Sequence, residues 1–389
     1  MTDTQVGIVG AGPAGLLLGH LLARAGIDSV VLEARSREYV EQRVRAGVLE
    51  QGTVDVLTET GVADRLHREG MVHHGIELRF GGAGHRVPLS DLAGGRAITV
   101  YGQQEVVKDL IAARLDAGLP LEFEAGATAI DPERGVISYG DGDDELRCTV
   151  VAGCDGFHGV ARAAVPEGEL SVYEREYPFA WLGILARAAP SSQELIYTHH
   201  ERGFALHSMR TPEVTRNYLQ VPPDERIEDW PDERIWEELQ TRMALADGSF
   251  ALDEGEIFEK GVAPMRSFVA EPMRHRRLFL AGDAAHIVPA TGAKGLNLAV
   301  ADVRVLARGL RAFFEHGDER GLDGYSDRCL RRVWRVQHFS WWMTQMLHRL
   351  TGDPFEARLQ RAQLEYVVRS RAAATSLAEN YVGLELEDV

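Results

Sequence analysis

The chain has 389 residues, 45% of them hydrophobic, and a formal net charge of -17. That length exceeds one simple core and fits two interleaved domains. The acidic balance excludes a nucleic acid or an anionic membrane surface as partner, and it requires that any anionic substrate meet a local cluster of Arg or Lys.

The first residues, Met1 to Gln5, lack the basic start of a signal peptide and run directly into a strand. Gln5 to Val9 is a short β-rich run ending at Gly10. Pro13 to Ala25 has the apolar spacing of a helix, and Gly26 is a natural stop. Ser29 to Leu32 is a second apolar strand, ending at Glu33, which completes a βαβ unit.

Further on, short strands alternate with Gly and Asp turns over 75–100 and 121–151, around a helix from Gln104 to Ala117. The stretch from Tyr177 to Val221 is again strand-like and suggests the sheet of a substrate domain. Leu278 to Ala281 is a buried strand. Leu296 to Phe314 and Tyr325 to Leu350 are helices. No apolar run is long enough to span a bilayer, so the chain is expected in the cytoplasm. Cys148, Cys154 and Cys329 form no CxxC pair or Cys/His cluster, which supports neither a metal site nor a disulfide framework.

Gly10-Ala11-Gly12-Pro13-Ala14-Gly15 is a GxGxxG fingerprint placed after a strand and at the start of a helix. Gly10 permits the tight turn, Gly12 admits a pyrophosphate, and Gly15 lets the helix pack on the sheet. Glu33 stands where a ribose hydroxyl needs an acceptor. A glycine-rich turn without ligand is the plainer explanation of the glycines alone, and the fingerprint serves FAD and NAD equally. Two later motifs select FAD. Cys154-Asp155-Gly156 follows one strand, and Gly282-Asp283-Ala284-Ala285-His286 follows another, with Gly292 to Asn297 opening a helix. An Asp at a strand end can bind a ribitol hydroxyl, and a helix N-terminus can stabilise charge on a reduced flavin. Each motif taken singly is equally a structural turn. The three in this order are specific. No second GxGxxG exists for a nicotinamide coenzyme.

The order of these motifs resembles the class A flavoprotein aromatic monooxygenases, over essentially the whole chain. Stretches that carry the resemblance include Arg43 to Gly52, Tyr101-Gly102-Gln103, Gly153 to Gly159, Gly292 to Leu298, Phe339 to Thr344 and Ala378 to Leu384. The fold it implies is α/β. A Rossmann-like FAD-binding domain (1–74, 100–172, 268–300) is interleaved with a β-sheet substrate domain (75–99, 173–267) and followed by a C-terminal helical region (301–389). The implied FAD contacts are Gly10, Gly12, Ala14, Gly15, Glu33, Arg43, Val44, Arg45, Ala46, Gly47, Val48, Gln103, Asp283, Leu296 and Asn297.

The resemblance implies hydroxylation of 4-hydroxybenzoate to 3,4-dihydroxybenzoate with NAD(P)H and O2, through a flavin C4a-hydroperoxide. A homodimer and a transient nicotinamide site at Tyr39, Arg45, His158, Arg162 and Arg266 are implied as well. Ser208, Met209, Arg210, Tyr218 and Ala290 would hold the substrate, with Arg210 on its carboxylate. Tyr197 would hold the phenolic oxygen, and Tyr381 and His73 would complete a proton relay ending near the surface.

Without the resemblance, Ser208, Arg210 and Tyr218 are a polar sheet face and the tyrosines are core packing. Ala290 and Asn217 depart from the family pattern. In the segment Ala34 to Tyr39, Arg35 and Arg37 suit a coenzyme 2′-phosphate, whereas Glu38 and Glu41 oppose one, so NADPH and NADH both stay open. The rival readings are a sister hydroxylase of another hydroxylated aromatic acid, a flavin oxidase or dehydrogenase, and a non-enzymatic FAD-binding sensor.

Overall fold

A computed structural model describes residues 2–44 and 47–385. Two large sheets organise it. In the first, the strand Thr2–Val9 lies at the centre of a parallel array, with Ser29–Leu32 on one side and Asp144–Gly153 on the other. Leu278–Leu280 and Leu121–Glu122 extend the array at its two ends. Val6, Ile8, Val31, Val151 and Ala152 are fully buried, as strands covered on both faces require. The helix Pro13–Arg24 covers one face and packs on Gly295–His316 and Gln103–Asp116.

The second sheet is mostly antiparallel. Two strands dominate it, Ser171–Arg187 and Glu256–Glu271. Beyond them follow Val214–Val221, Ala205–Thr211, Leu195–His199 and the hairpin Ile76–Phe80/Ala83–Val87. Its inner face carries an aromatic core that includes Phe179, Trp181, Tyr197, Phe204 and Tyr218. The helices Tyr325–Leu347, Pro354–Arg369 and Arg371–Val382 bring Met343, Leu364, Leu377 and Tyr381 to the same core. The helix Asp232–Met243 closes the outer face over Leu182, Ile184 and Leu219.

The helix Asp232–Met243 and the strand Glu256–Glu271 are additions to the sequence reading. The expected helix from Tyr325 ends at Leu347 rather than Leu350. Among the described residues, no helix is long and apolar enough to cross a membrane, and all three cysteines are free and buried.

Candidate flavin and substrate site

The dinucleotide turn is built as its glycines demand. Gly10 has φ 101°, and a Cβ on it would lie 2.5 Å from the Cys154 carbonyl oxygen. A Cβ on Gly15 would lie 2.0 Å from the Gly10 oxygen. Gly12 differs: its φ of -75° suits any residue, and a Cβ there would touch nothing within 4 Å. The protein itself gives no reason for glycine at this position, which is the mark of space kept for a ligand. Ala14 and Gly15 occupy the first turn of the helix, where N–H groups have no intrahelical acceptor. Glu33 accepts from the Ala11 N–H at 2.7 Å and the Arg35 N–H at 2.8 Å, which fixes its carboxylate beside the turn. These features fit a dinucleotide.

The other motifs converge on the same edge. Asp155 accepts from the Ala161 N–H at 2.9 Å, and its second oxygen is buried without a partner. Burial pushes its carboxyl above the usual range. Asp283 is exposed on the short turn Gly282–Ala284. That turn is anchored from behind by Asp302, which accepts from the Gly282 N–H at 3.0 Å and bonds His286 at 2.6 Å. Burial opposes charge on His286, but the Asp302 carboxylate outweighs it and holds the imidazole above its ordinary value.

Leu296 and Asn297 lie in the first turn of Gly295–His316 and present N–H groups there. The Asn297 side chain is used internally. It accepts from the Glu50 N–H and the Thr53 hydroxyl, and it donates to the Val48 and Ala293 carbonyls. Its offer to a flavin is therefore its main chain.

Gly47 packs where a Cβ would lie 2.1 Å from the Tyr101 oxygen, and Val48 pairs with Val100. Gln103 begins the helix Gln103–Asp116. Arg43 ends the helix Arg37–Gln42 and lies over the Tyr39 ring, and Val44 follows it. Arg45 and Ala46 lie outside the described residues.

On the substrate sheet, Tyr197 is paired with Leu206 and Leu206 with Tyr218. The Tyr197 hydroxyl is hydrogen-bonded to the Tyr381 hydroxyl, and both rings are buried. Burial raises both phenols above the usual value, so each stays protonated at neutral pH.

Along the same strand, Ser208 donates to the Arg216 carbonyl at 2.9 Å. Its proton is thus engaged, and its oxygen keeps acceptor capacity only. Arg210 sits at a register shift between Met209 and Thr211, which interrupts the strict alternation that a shared face with Ser208 assumes. Its Nη1 donates to the Met209 carbonyl at 3.0 Å, while its Nε is buried with no partner. Burial pushes this guanidinium down to about 10. The residue is half-buried, but its buried Nε donor lacks an acceptor, and a carboxylate could supply one.

Asn217 is buried on the opposite face and accepts from His207 at 2.7 Å, so it does not line this cluster. Ala290 is exposed, in the turn Ala290–Gly292, and Thr291 bonds Thr344 at 2.8 Å.

His73 departs from expectation. It is 2% exposed rather than near the surface, and neither ring nitrogen has a hydrogen-bond partner. Burial depresses its pKa to about 4. The two tyrosines are joined directly, but nothing joins them directly to His73. Among the residues expected to meet the nicotinamide coenzyme, Arg162 donates to the Phe157 and Ala284 carbonyls at 2.6 and 3.0 Å and so ties the two loops together. Arg266 is paired with Glu174 and lies over the Phe157 ring, and the exposed His158 packs edge-on against that ring.

Two buried groups escaped the sequence reading. Lys294 is 2% exposed and donates to Glu50 at 2.7 Å and to the Tyr381 carbonyl at 2.8 Å, while Arg332 approaches the other Glu50 oxygen at 3.1 Å. Burial lowers the ammonium and Glu50 opposes that. This network joins the helix start at Gly295 to the segment bearing Tyr381. A lone Lys beside glycines carries no signal of such burial.

The FAD binding domain family matches residues 3–340. A p-hydroxybenzoate hydroxylase of Acinetobacter baylyi is 50% identical over 99% of this chain and 96% of its own length. The chain belongs to the class A flavoprotein aromatic monooxygenases. Solved structures agree on the fold. A p-nitrophenol 4-monooxygenase from Pseudomonas putida superposes with TM-score 0.85 at 21% identity, covering 99% of this chain and 100% of that one. An aklavinone-11 hydroxylase solved with FAD and aklavinone gives 0.73 at 24% identity, covering 90% and 70%. As a member of this family the chain is an FAD-dependent oxidoreductase using NAD(P)H.

Proposed function

We propose that the chain hydroxylates 4-hydroxybenzoate at the carbon beside its hydroxyl, forming 3,4-dihydroxybenzoate and consuming NAD(P)H and O2. The observation that carries this reading is the half-buried Arg210 with its buried, unmet Nε donor, on the same sheet as Tyr197 of the Tyr197–Tyr381 pair. Bound FAD supplies reduction by NAD(P)H and activation of O2.

The residues do the rest. Arg210 and Tyr218 hold the carboxylate, with the Met209 carbonyl steadying Arg210. Tyr197 holds the phenolic oxygen and passes its proton to Tyr381. Because burial keeps both tyrosines protonated, they conduct a proton rather than act as bases. Loss of that proton enriches the ortho carbon in electrons. The surrounding aromatic core keeps water out. His73, with both ring nitrogens unmet, is the end of the relay in this reading, although it has no direct bond to either tyrosine.

The reading also includes a cytoplasmic homodimer. Phe355, Leu359 and Tyr366 are 69, 55 and 61% exposed and share one side of the helix Pro354–Arg369, an apolar face that a second copy would cover. Sedimentation of the parent and of Leu359→Asp tests it: a dimer that the variant splits is expected, and a monomeric parent rejects it. Turnover under 18O2 tests the chemistry. One labelled oxygen in 3,4-dihydroxybenzoate is expected, and oxidation of NAD(P)H with only labelled H2O2 rejects the assignment.

A further inference from the structure

We propose that His348 is a positioning residue that fixes the Trp181 indole against Tyr218 and so sets the carboxylate end of the substrate site. The inference rests on the assignment of Arg210 and Tyr218 to that carboxylate.

His348 follows directly on the helix Tyr325–Leu347 and is fully buried. Its Nε2 accepts from the Trp181 indole N–H at 2.7 Å, and its Nδ1 meets the Thr344 carbonyl at 3.1 Å. An indole nitrogen only donates, so Nε2 carries no proton and Nδ1 must. A charged ring would set two donors against each other, and burial in any case pushes its pKa down to about 3. The ring is further fixed by stacking on Phe179 at 4.4 Å and on Phe204 at 4.3 Å.

Trp181 has no other anchor of comparable direction. It stacks on Phe204 at 5.2 Å and leans on Tyr218 at 4.7 Å. Opposite Tyr218 stands Gly183, where a Cβ would lie 3.4 Å from the tyrosine ring, so Tyr218 rests on space left open by the neighbouring strand. The Arg216 guanidinium also lies over the Tyr218 ring, at 5.2 Å, so an indole free to rotate would remove part of that tyrosine's support. The same helix end reaches the other side of the site, since the Thr344 hydroxyl bonds Thr291 beside Ala290. One turn of helix, Thr344 to His348, thus ties the aromatic sheet to the Ala290 loop.

The test uses the FAD-loaded enzyme and the variants His348→Phe, His348→Gln, Trp181→Phe and the double variant H348F/W181F. His348→Phe keeps ring volume and removes the acceptor, leaving the indole N–H unmet. About a tenfold rise in KM for 4-hydroxybenzoate is expected, with kcat within about twofold. His348→Gln restores an acceptor and should recover most of the KM. In the Trp181→Phe background, His348→Phe should add nothing, because the donor is gone.

A KM unchanged in His348→Phe, or raised equally with Trp181 absent, overturns the proposal. The Trp181 indole N–H resonance, identified by its loss in Trp181→Phe, reads the bond without substrate. It should move in His348→Phe and stay in His348→Gln, and an unmoved resonance also overturns it. A parent enzyme without 4-hydroxybenzoate-dependent turnover rejects the substrate assignment instead, with the resonance still reporting the His348 bond.

Discussion

The hydroxyl of Tyr197, on the sheet strand Leu195–His199, meets the hydroxyl of Tyr381, 184 residues later on the helix Arg371–Val382. The pair therefore exists only when the C-terminal helices are docked against the substrate sheet, and it places a hydroxyl–hydroxyl hydrogen bond in a buried aromatic core.

Replacing Tyr197 with Phe removes the hydroxyl that the proposed reading sets against the phenolic oxygen. Hydroxylation should fall by about 10²-fold, while substrate-dependent flavin reduction persists. Rapid-mixing absorbance separates the two half-reactions. An unchanged product rate and yield would sink the relay assignment.

Arg210→Gln removes the charge that the proposed reading sets against the substrate carboxylate. A charge-assisted bond in a buried setting is worth about 1.5–3 kcal/mol, so binding of 4-hydroxybenzoate should weaken by roughly 10- to 100-fold. Arg210→Lys should recover little, since an ammonium cannot reproduce the planar fork. Titration of the flavin absorbance measures both, and parent-like affinity in Arg210→Gln removes Arg210 from the site.

Two glycines of one motif should behave oppositely. Gly12→Ala adds a Cβ that meets only open space, so the protein should fold but lose FAD affinity. Gly15→Ala drives a Cβ to 2.0 Å from a backbone oxygen and should destabilise the fold itself. Flavin content and thermal unfolding of the two apoproteins distinguish the effects.

His73 and His348 are both buried with their pKa values lowered from 6.5, to about 4 and about 3. Above pH 6.5 the folded and unfolded chains carry these rings neutral. Below it the unfolded chain takes up protons that the folded chain refuses, so stability falls as pH drops from 6.5 toward 4. His73 alone accounts for about 3 kcal/mol of that loss. In His73→Gln the urea midpoint should decline less steeply between pH 6.5 and 4, and identical slopes would contradict the burial of His73.

The sequence-legible part of the molecule is the part that backbone geometry dictates. Gly10, Gly15 and Glu33 are read from a turn whose shape permits few residues. The helix Asp232–Met243 carries a local signal, Pro231 followed by acids and then Ile235, Trp236 and Leu239. The Glu50–Lys294 pair spans 244 residues, and a lone Lys or Glu ordinarily marks a solvated surface, so nothing local announces it. The depth of His73 is hidden from the sequence for a related reason: burial belongs to the packed sheet Val48–Leu49/Ile98–Val100/Met71–His73, not to its own neighbours in the chain.

The most direct test is aerobic oxidation of NADPH and NADH by the purified FAD protein, with and without 4-hydroxybenzoate, with the product identified. Strong stimulation and near-stoichiometric 3,4-dihydroxybenzoate are predicted. Absence of stimulation, or stimulation that yields only H2O2, would contradict the account.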